Sequence, residues 1–407
     1  MHILFFTDNF PPEVNAPASR TYEHAREWAL AGHKVTVITC APNFPKGEVF
    51  AGYRNKLWQR EQMDGIHVVR VWTYVTKNEG FFRRILDYQS YMVSSFLASL
   101  FIRRVDVVIG TSPQFFAACA AWASAAVKRR PFVFELRDIW PESIRAVGAM
   151  KNSAVLDFFE KVELFLYARA QKVVAVTHSF RHNLVGRGIA PEKVQVITNG
   201  VDMSRYSRIP RDLRLENALG LKDRFVVGYI GTHGMAHALE TLLDAASEIQ
   251  ADPRTSDVTF LFLGDGANRD RLITRAAELG LENVIFLESV PKVDVHRYWS
   301  LLDASIIHLR KTDLFKSVIP SKLFECMAMG IPILHGVEGE SADIVVERSI
   351  GMIFEPENSA ELVERVLELK TNAELRASLS ANGQAAAPDF NRATLAADML
   401  NLLEELA

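Results

Sequence analysis

Ala304-Ser305-Ile306-Ile307-His308-Leu309 and, after a polar and basic connection, Pro320-Ser321-Lys322-Leu323-Phe324-Glu325 are two halves of one signal. The first is a short apolar run of the kind that forms a buried strand. The second opens a helix, because proline suits a first turn, where its missing N–H is not needed. A strand feeding a helix start is the repeating unit of a parallel, doubly wound α/β sheet. Free N–H groups at such a start attract anions, which makes the turn a seat for a phosphate. Lys322 adds a mobile cation in the first turn, where positive charge is unfavourable unless an anion is bound. Ser321 and Glu325 stand four apart on one face, and Glu325 is able to accept two hydrogen bonds from a vicinal diol such as a ribose. The same residues also suit a plain helix with a solvated lysine, and spacing alone leaves both readings open.

The rhythm repeats along the chain. Runs at 2–7, 34–39, 66–72, 105–110, 131–136, 172–177 and 193–198 read as strands, with helical patterns at 18–31, 81–102, 114–129, 153–169 and 179–187. The rhythm breaks at Asn199-Gly200-Val201-Asp202, and a polar, basic stretch follows. A second series has strands at 225–230, 258–263, 284–287, 304–309, 332–335 and 352–354, closed by helical patterns at 359–370, 373–383 and 391–406. This predicts two Rossmann-like domains facing a central cleft: 1–205, a linker at 206–222, then 223–388, with a last helix at 389–407 expected to pack back on the first domain.

Composition narrows the function classes. A chain of 407 residues with 23% charged residues and a net charge of −3 has no global attraction to nucleic acid, so any anion site has to be local. Three scattered cysteines imply neither a disulfide framework nor a zinc site, and a reduced, cytoplasmic setting is expected. The chain enters a strand at once, without the basic start of a signal peptide. Between Arg84 and Arg103 the sequence is apolar but holds Asp87, Gln89 and several serines, so it does not read as a spanning helix. Its flanks, Phe81-Phe82-Arg83-Arg84 and Phe101-Ile102-Arg103-Arg104, fit either an anionic membrane surface or a core helix with basic ends.

Other candidate residues cluster at expected strand ends. Asn15 and Arg20 belong to the long loop and first turn after the first strand, where Arg20 would meet a phosphate or simply sit at the surface. Phe134-Glu135-Leu136-Arg137-Asp138-Ile139-Trp140-Pro141-Glu142 sets charges around a tryptophan. There Asp138 would act as base or orienting carboxylate for an acceptor hydroxyl, and Arg137 would stabilise phosphate charge, unless they pair with each other or with Glu142. In the second series, Gly231-Thr232-His233-Gly234 and Gly264-Asp265-Gly266 allow close backbone approach to a ligand, and Val290 lies in a loop placed to meet a base. The chain contains no Asp-x-Asp triplet, so no metal site is expected; protein cations and helix ends would neutralise a diphosphate.

Together these features resemble the retaining glycosyltransferases of the GT-B architecture in family GT4. The resemblance runs through "FPPE" in the first loop, "AGHKVTVIT" at 31–39, "ITNGVD" at 197–202, the two glycine turns and "PSKLFECMAMGIPIL" at 320–334. "RDIWPES" at 137–143 is most similar to bacterial transferases for O-antigen and capsule sugars. The resemblance implies transfer from a UDP-sugar, N-acetylated amino or 6-deoxyamino sugars among them, to a saccharide or polyprenyl-linked acceptor. It implies no cofactor beyond the UDP-sugar co-substrate, and peripheral contact with the cytoplasmic membrane face. It places the ribose-binding glutamate on Glu325, while its partner eight residues earlier is replaced by Ser317. The family's basic pair after the second domain's first strand is absent, with Thr232 near the arginine position; Lys322, with Arg310 or Lys311, would substitute. Lys322 would then stabilise the leaving diphosphate in a front-face transfer with retention. A UDP-sugar epimerase of the same shape and a non-catalytic sugar-nucleotide-binding partner are the alternatives.

Overall fold

A computed structural model describes residues 1–44, 46–76, 81–139 and 153–407 of the chain. These form two compact units: Met1–Asn199 with Arg392–Ala407, and Gly200–Asn391. The boundary therefore falls at 199/200 rather than at 206–222, because the polar stretch contributes Val201, Tyr206 and Leu221 to a core of the second unit.

In the first unit the strands are β1 (His2–Phe6), β2 (Lys34–Cys40), β3 (Trp58–Met63), β4 (Ile66–Val71), β5 (Val107–Thr111), β6 (Phe132–Leu136), β7 (Lys172–Ala175) and β8 (Val194–Val196). They lie in the order β3-β4-β2-β1-β5-β6-β7-β8. Neighbours pair in parallel except β3, which runs antiparallel to β4. The strand pleat divides the interior. Ile3 and Phe5 face Trp28 of helix 16–30 and Met399 and Leu403 of helix 392–404. Leu4 and Phe6 face the layer formed by helices 81–100, 115–128 and 153–169.

In the second unit, β9 (Phe225–Ile230), β10 (Val258–Leu263), β11 (Val284–Leu287), β12 (Ala304–His308), β13 (Ile333–Gly336) and β14 (Gly351–Ile353) form a parallel sheet ordered β11-β10-β9-β12-β13-β14. Helix 322–329 buries Leu323, Phe324 and Met327 on one face, and helices 240–251 and 359–371 cover the other. The chain winds away in opposite directions from β1 and β5, and again from β9 and β12. Between such strands the carboxyl ends leave the crevice where ligands bind in open α/β sheets.

The expected strands lie within two residues of those observed, as buried Val- and Ile-rich runs allow. β3 was not anticipated. It is a half-buried edge strand, Trp58-Gln59-Arg60-Glu61-Gln62-Met63, whose polar composition hides the pattern. The signal was Asp64-Gly65, which takes φ of 48° and 84° and closes the hairpin.

Candidate functional site

Three loops meet at the carboxyl ends of β9, β10 and β12. The β9 loop opens with Gly231 at φ 146° and the β10 loop with Gly264 at φ 149°, both in conformations that favour glycine. A Cβ on Gly264 would stand 1.9 Å from the Gly231 carbonyl oxygen, so the two turns close only with glycine there. Backbone bonds lock them: Gly231 N–H to Leu263 O at 2.9 Å and His233 N–H to Asp265 O at 2.9 Å. Gly266 backs onto the His233 backbone. Gly234, at φ −102° with room for a side chain, caps a short 3-10 turn and has no such need. Thr232 is exposed and its carbonyl accepts from the Tyr229 hydroxyl at 2.9 Å.

The β12 loop is tied to the β9 loop by Arg310, whose Nε donates to Met235 O at 2.7 Å. His308 accepts from Glu357 N–H at Nε2, so its proton is on Nδ1, which donates to His237 O at 2.8 Å. Ser317 turns its hydroxyl back to Leu314 O at 3.0 Å. The helix starts at Lys322 with Ser321 at the N-cap, two residues later than the proline suggested. Pro320 instead supplies the carbonyl for Leu323 N–H at 3.0 Å, closing the preceding tight turn. Glu325 is half-buried in the first turn, and Val290 packs on the core beside the β11 loop.

Lys322 is the informative residue. Its Nζ is sealed from solvent, has no hydrogen-bond partner among the described residues, and stands 3.6 Å from the centroid of the Tyr229 ring. It also lies against Gly231, where a Cβ would come within 2.8 Å of it. Burial pushes its ammonium down to about 7, opposed by the negative charge of Glu325. The Tyr229 face opposes the shift as well. By contrast, Lys311 is paired with Glu355, and Lys316 with Asp313 at 2.8 Å.

Three residues of this site were missed in the sequence: Tyr229, His233 and Arg269. His233 is fully buried, with both ring nitrogens unpartnered among the described residues. Burial, helped by the charges of Lys322 and Arg269, lowers it to about 4. Arg269, at the start of helix 269–278, has a buried Nε without a hydrogen-bond partner among the described residues. It offers a second cation that the absent basic pair did not suggest. The only advance signal was its position just past Gly264-Asp265-Gly266.

In the first unit the placements differ from expectation. Arg20 is fully buried: it donates to Glu135 Oε1 at 2.8 Å, Thr198 O at 2.7 Å and Ile197 O at 3.1 Å. Its guanidinium therefore ties helix 16–30 to β6 and to the chain after β8, and is not presented to a phosphate. Asn15 caps the same helix by accepting from Ala18 N–H at 2.8 Å. Arg137 donates to the carbonyls of Ala16 and Pro17 at 3.1 and 3.2 Å, and burial lowers it to about 10. Asp138 is half-buried beyond β6, and its N–H, like that of Arg137, donates to Ser112 Oγ. Trp140, Pro141 and Glu142 lie outside the described residues. An acid cluster formed by the loop after β1 and by helix 81–100 went unnoticed. Burial raises Asp8 to about 8, with Asp87 and Glu13 adding to the shift, and raises Asp87 to about 7.

Comparisons with known proteins agree with this arrangement. The model for Glycosyltransferase Family 4 matches residues 18–205, and that for Glycosyl transferases group 1 matches 214–386. A protein of Escherichia coli (strain K12), named for a role as the colanic acid biosynthesis glycosyl transferase WcaI, is 27% identical over 81% of this chain and 82% of the relative. Capsular polysaccharide biosynthesis glycosyltransferase CapM of Staphylococcus aureus is 21% identical over 64% of this chain and 67% of its own. Among solved structures, HepE of Anabaena in complex with UDP and glucose superposes with a TM-score of 0.74 at 20% identity, covering 99% of each chain. Sucrose-phosphate synthase from Thermosynechococcus elongatus does so at 0.80 and 14%, covering 100% of this chain and 98% of its own. With one glycosyltransferase model on each unit, and the whole chain in the fold of those enzymes, the protein belongs to the GT-B glycosyltransferases of family 4.

Proposed function

We propose that this enzyme transfers a sugar from a UDP-sugar, with retention, to a saccharide or polyprenyl-linked saccharide in surface polysaccharide synthesis. An N-acetylated amino or 6-deoxyamino sugar is the proposed donor group, and no cofactor is used besides the donor. One observation carries the donor assignment: a lysine ammonium buried without a hydrogen-bond partner among the described residues, against a glycine turn at the strand ends of the second unit. A buried cation without a partner is costly, and a diphosphate relieves the cost.

In this reading Lys322 and Arg269 face the diphosphate, the turns at Gly231 and Gly264 let its oxygens approach backbone, and Glu325 accepts from the ribose hydroxyls. The bond from the anomeric carbon to the diphosphate oxygen breaks as the acceptor oxygen bonds to the same face of that carbon. The acceptor proton passes to the departing phosphate oxygen. Asp138 after β6 and Asp8 after β1, the latter coupled by charge to Asp87 of helix 81–100, orient the acceptor hydroxyl. Cationic stabilisation of the leaving diphosphate is the largest contribution asked of the protein.

The test is UDP release over a panel of UDP-sugars with saccharide and lipid-linked acceptors. Lys322→Ala is expected to lower turnover by about 100-fold or more with its melting curve intact. Near-normal transfer by that variant would remove Lys322 from the reaction.

A further inference from the structure

His308, the last residue of β12, stands behind the donor site, and the fold is built around its ring. The ring is buried and stacks on Phe354, with centroids 5.7 Å apart and planes at 10°. In the sheet register His308 lies opposite Gly336 of β13, where a Cβ would come within 2.6 Å of His308 Cδ2. Glycine there leaves the ring its room. On one side the Glu357 N–H, in the loop after β14, donates to Nε2 at 2.9 Å. A backbone N–H only donates, so Nε2 keeps its lone pair and the proton of the neutral ring sits on Nδ1. Burial lowers the pKa of His308 below the ordinary imidazole value, although Glu357 and Glu240 oppose it, so the ring is neutral at pH 7.

The Nδ1 proton is spent on the β9 loop, where it is donated to His237 O at 2.8 Å. The two carbonyls before it are held from the end of β12 as well: Arg310 N–H donates to Ala236 O at 2.9 Å, and Arg310 Nε to Met235 O at 2.7 Å. The Arg310 side-chain bond is exposed to water and contributes little, whereas the His308 ring is buried. Ala238, next along, has φ 43° and ψ 48°, a left-handed conformation that a side chain disfavours and that persists only where the surroundings fix it. His237 is thereby pinned, with its ring edge-on to Tyr229 at 5.9 Å and 64°. The same Tyr229 ring carries Lys322 Nζ at 3.6 Å from its centroid. His237 senses that ammonium: burial and then the charge of Lys322 lower it to about 4. The turn at 235–238 therefore braces the ring that bears the donor cation.

We propose that His308 is a positioning residue of the donor site: a neutral ring protonated on Nδ1, it clamps the turn at 235–238, which holds His237 against Tyr229 and so fixes the ring beneath Lys322. It touches no donor atom and acts through those three residues. The role rests on the reading of Lys322 as the cation that meets the diphosphate. Histidine suits the place because one flat side chain accepts at one end and donates at the other, joining the loops after β14 and β9 across the end of β12. An apolar side chain of similar size would fill the space beside Phe354, yet leave the His237 carbonyl without its donor and the Glu357 N–H without its acceptor. Without that clamp, Ala238 is free to leave its left-handed conformation and His237 to swing from the Tyr229 edge.

The test compares His308→Leu with His308→Asn in the full chain, since the two side chains are close in shape and differ chiefly in a donor able to reach His237 O. UDP affinity is measured by calorimetry well below the melting temperature of each variant. His308→Leu is expected to weaken UDP binding about tenfold, and His308→Asn to stay within about threefold of the parent. A role confined to stability would lower the melting temperature of His308→Leu and leave UDP affinity as in the parent, which overturns the proposal. So does a His308→Asn variant as weak as His308→Leu. The parent supplies a reading that needs no stable variant: long-range proton–nitrogen spectra of its histidine rings at pH 7, with the His308 signals expected to show the Nδ1–H form. An Nε2–H ring at 308 overturns the proposal by itself. A parent that binds no UDP would instead bring down the donor reading, and this role with it, whereas UDP binding indifferent to His308→Leu brings down this role alone.

Discussion

Lys322 shows how one residue couples donor binding to pH. Burial lowers its ammonium from 10.5 to about 7, so at pH 8 the empty site holds mostly neutral amine. A diphosphate beside Nζ favours the charged form, and binding should therefore take up a proton. Calorimetry at pH 8 in two buffers of different ionisation enthalpy is expected to report uptake approaching one proton. UDP affinity should then fall by up to about tenfold per pH unit above 7. Lys322→Met should abolish the uptake, and an unmodified enzyme that binds UDP without it would refute the linkage. Stability runs the opposite way: the unfolded chain binds this proton more tightly, so the lysine makes stability rise with pH between about 7 and 10.5. Lys322, Ser321 and Glu325 were legible in the sequence because helix starts have a local grammar. Tyr229 and Arg269 were not, since a ring under an ammonium and a second cation across a turn depend on which strand ends meet. Arg20 and Arg137 misled for the same reason: a charge near a strand end reads alike whether it faces a ligand or, as here, helix carbonyls and a buried glutamate.

At the scale of elements, the donor side rests on two crossing turns, and their glycines are unequal. Alanine at 264 would put a Cβ 1.9 Å from the Gly231 carbonyl oxygen at φ 149°, so the β9 and β10 loops would have to part. Gly264→Ala is expected to cost about 3 kcal/mol and to weaken UDP binding along with it. Gly234→Ala, at φ −102° with its nearest side-chain neighbours at 3.6 Å, should melt like the parent. Thermal melting and calorimetry of the pair decide it, and equal effects would mean that the crossing is not what needs glycine. Buried parallel strands announce themselves as Val and Ile runs, which is why thirteen of the fourteen strands among the described residues were legible. β3 was lost because an edge strand has one wet side and need not be apolar. The start of helix 322–329 was placed early because proline serves the turn before a helix as readily as its first residue.

The whole molecule is less modular than its two sequence series imply, because the first unit is completed by the last helix of the chain. Helix 392–404, expected from the sequence to pack back on the first domain, returns to it across nearly two hundred residues. In place, it buries Leu395, Met399 and Leu403 against helix 16–30 and β1. Its Ala396 carbonyl accepts from Trp28 Nε1 at 2.8 Å, and Arg392 pairs with the buried Glu23. Deleting residues 392–407 would uncover those apolar side chains and remove the Arg392–Glu23 ion pair. At about 1.5–3 kcal/mol per buried side chain, the loss is at least about 5 kcal/mol, comparable with the entire stability of a domain. The second unit, with its own sheet and both of its cores, loses none of its residues. The deletion should therefore remove one of two unfolding transitions in calorimetry and abolish sugar transfer, while UDP binding at Lys322 persists. If both transitions survived, the last helix would be dispensable to the first unit. If UDP binding vanished while the second unit stayed folded, the donor site would need residues outside 200–391.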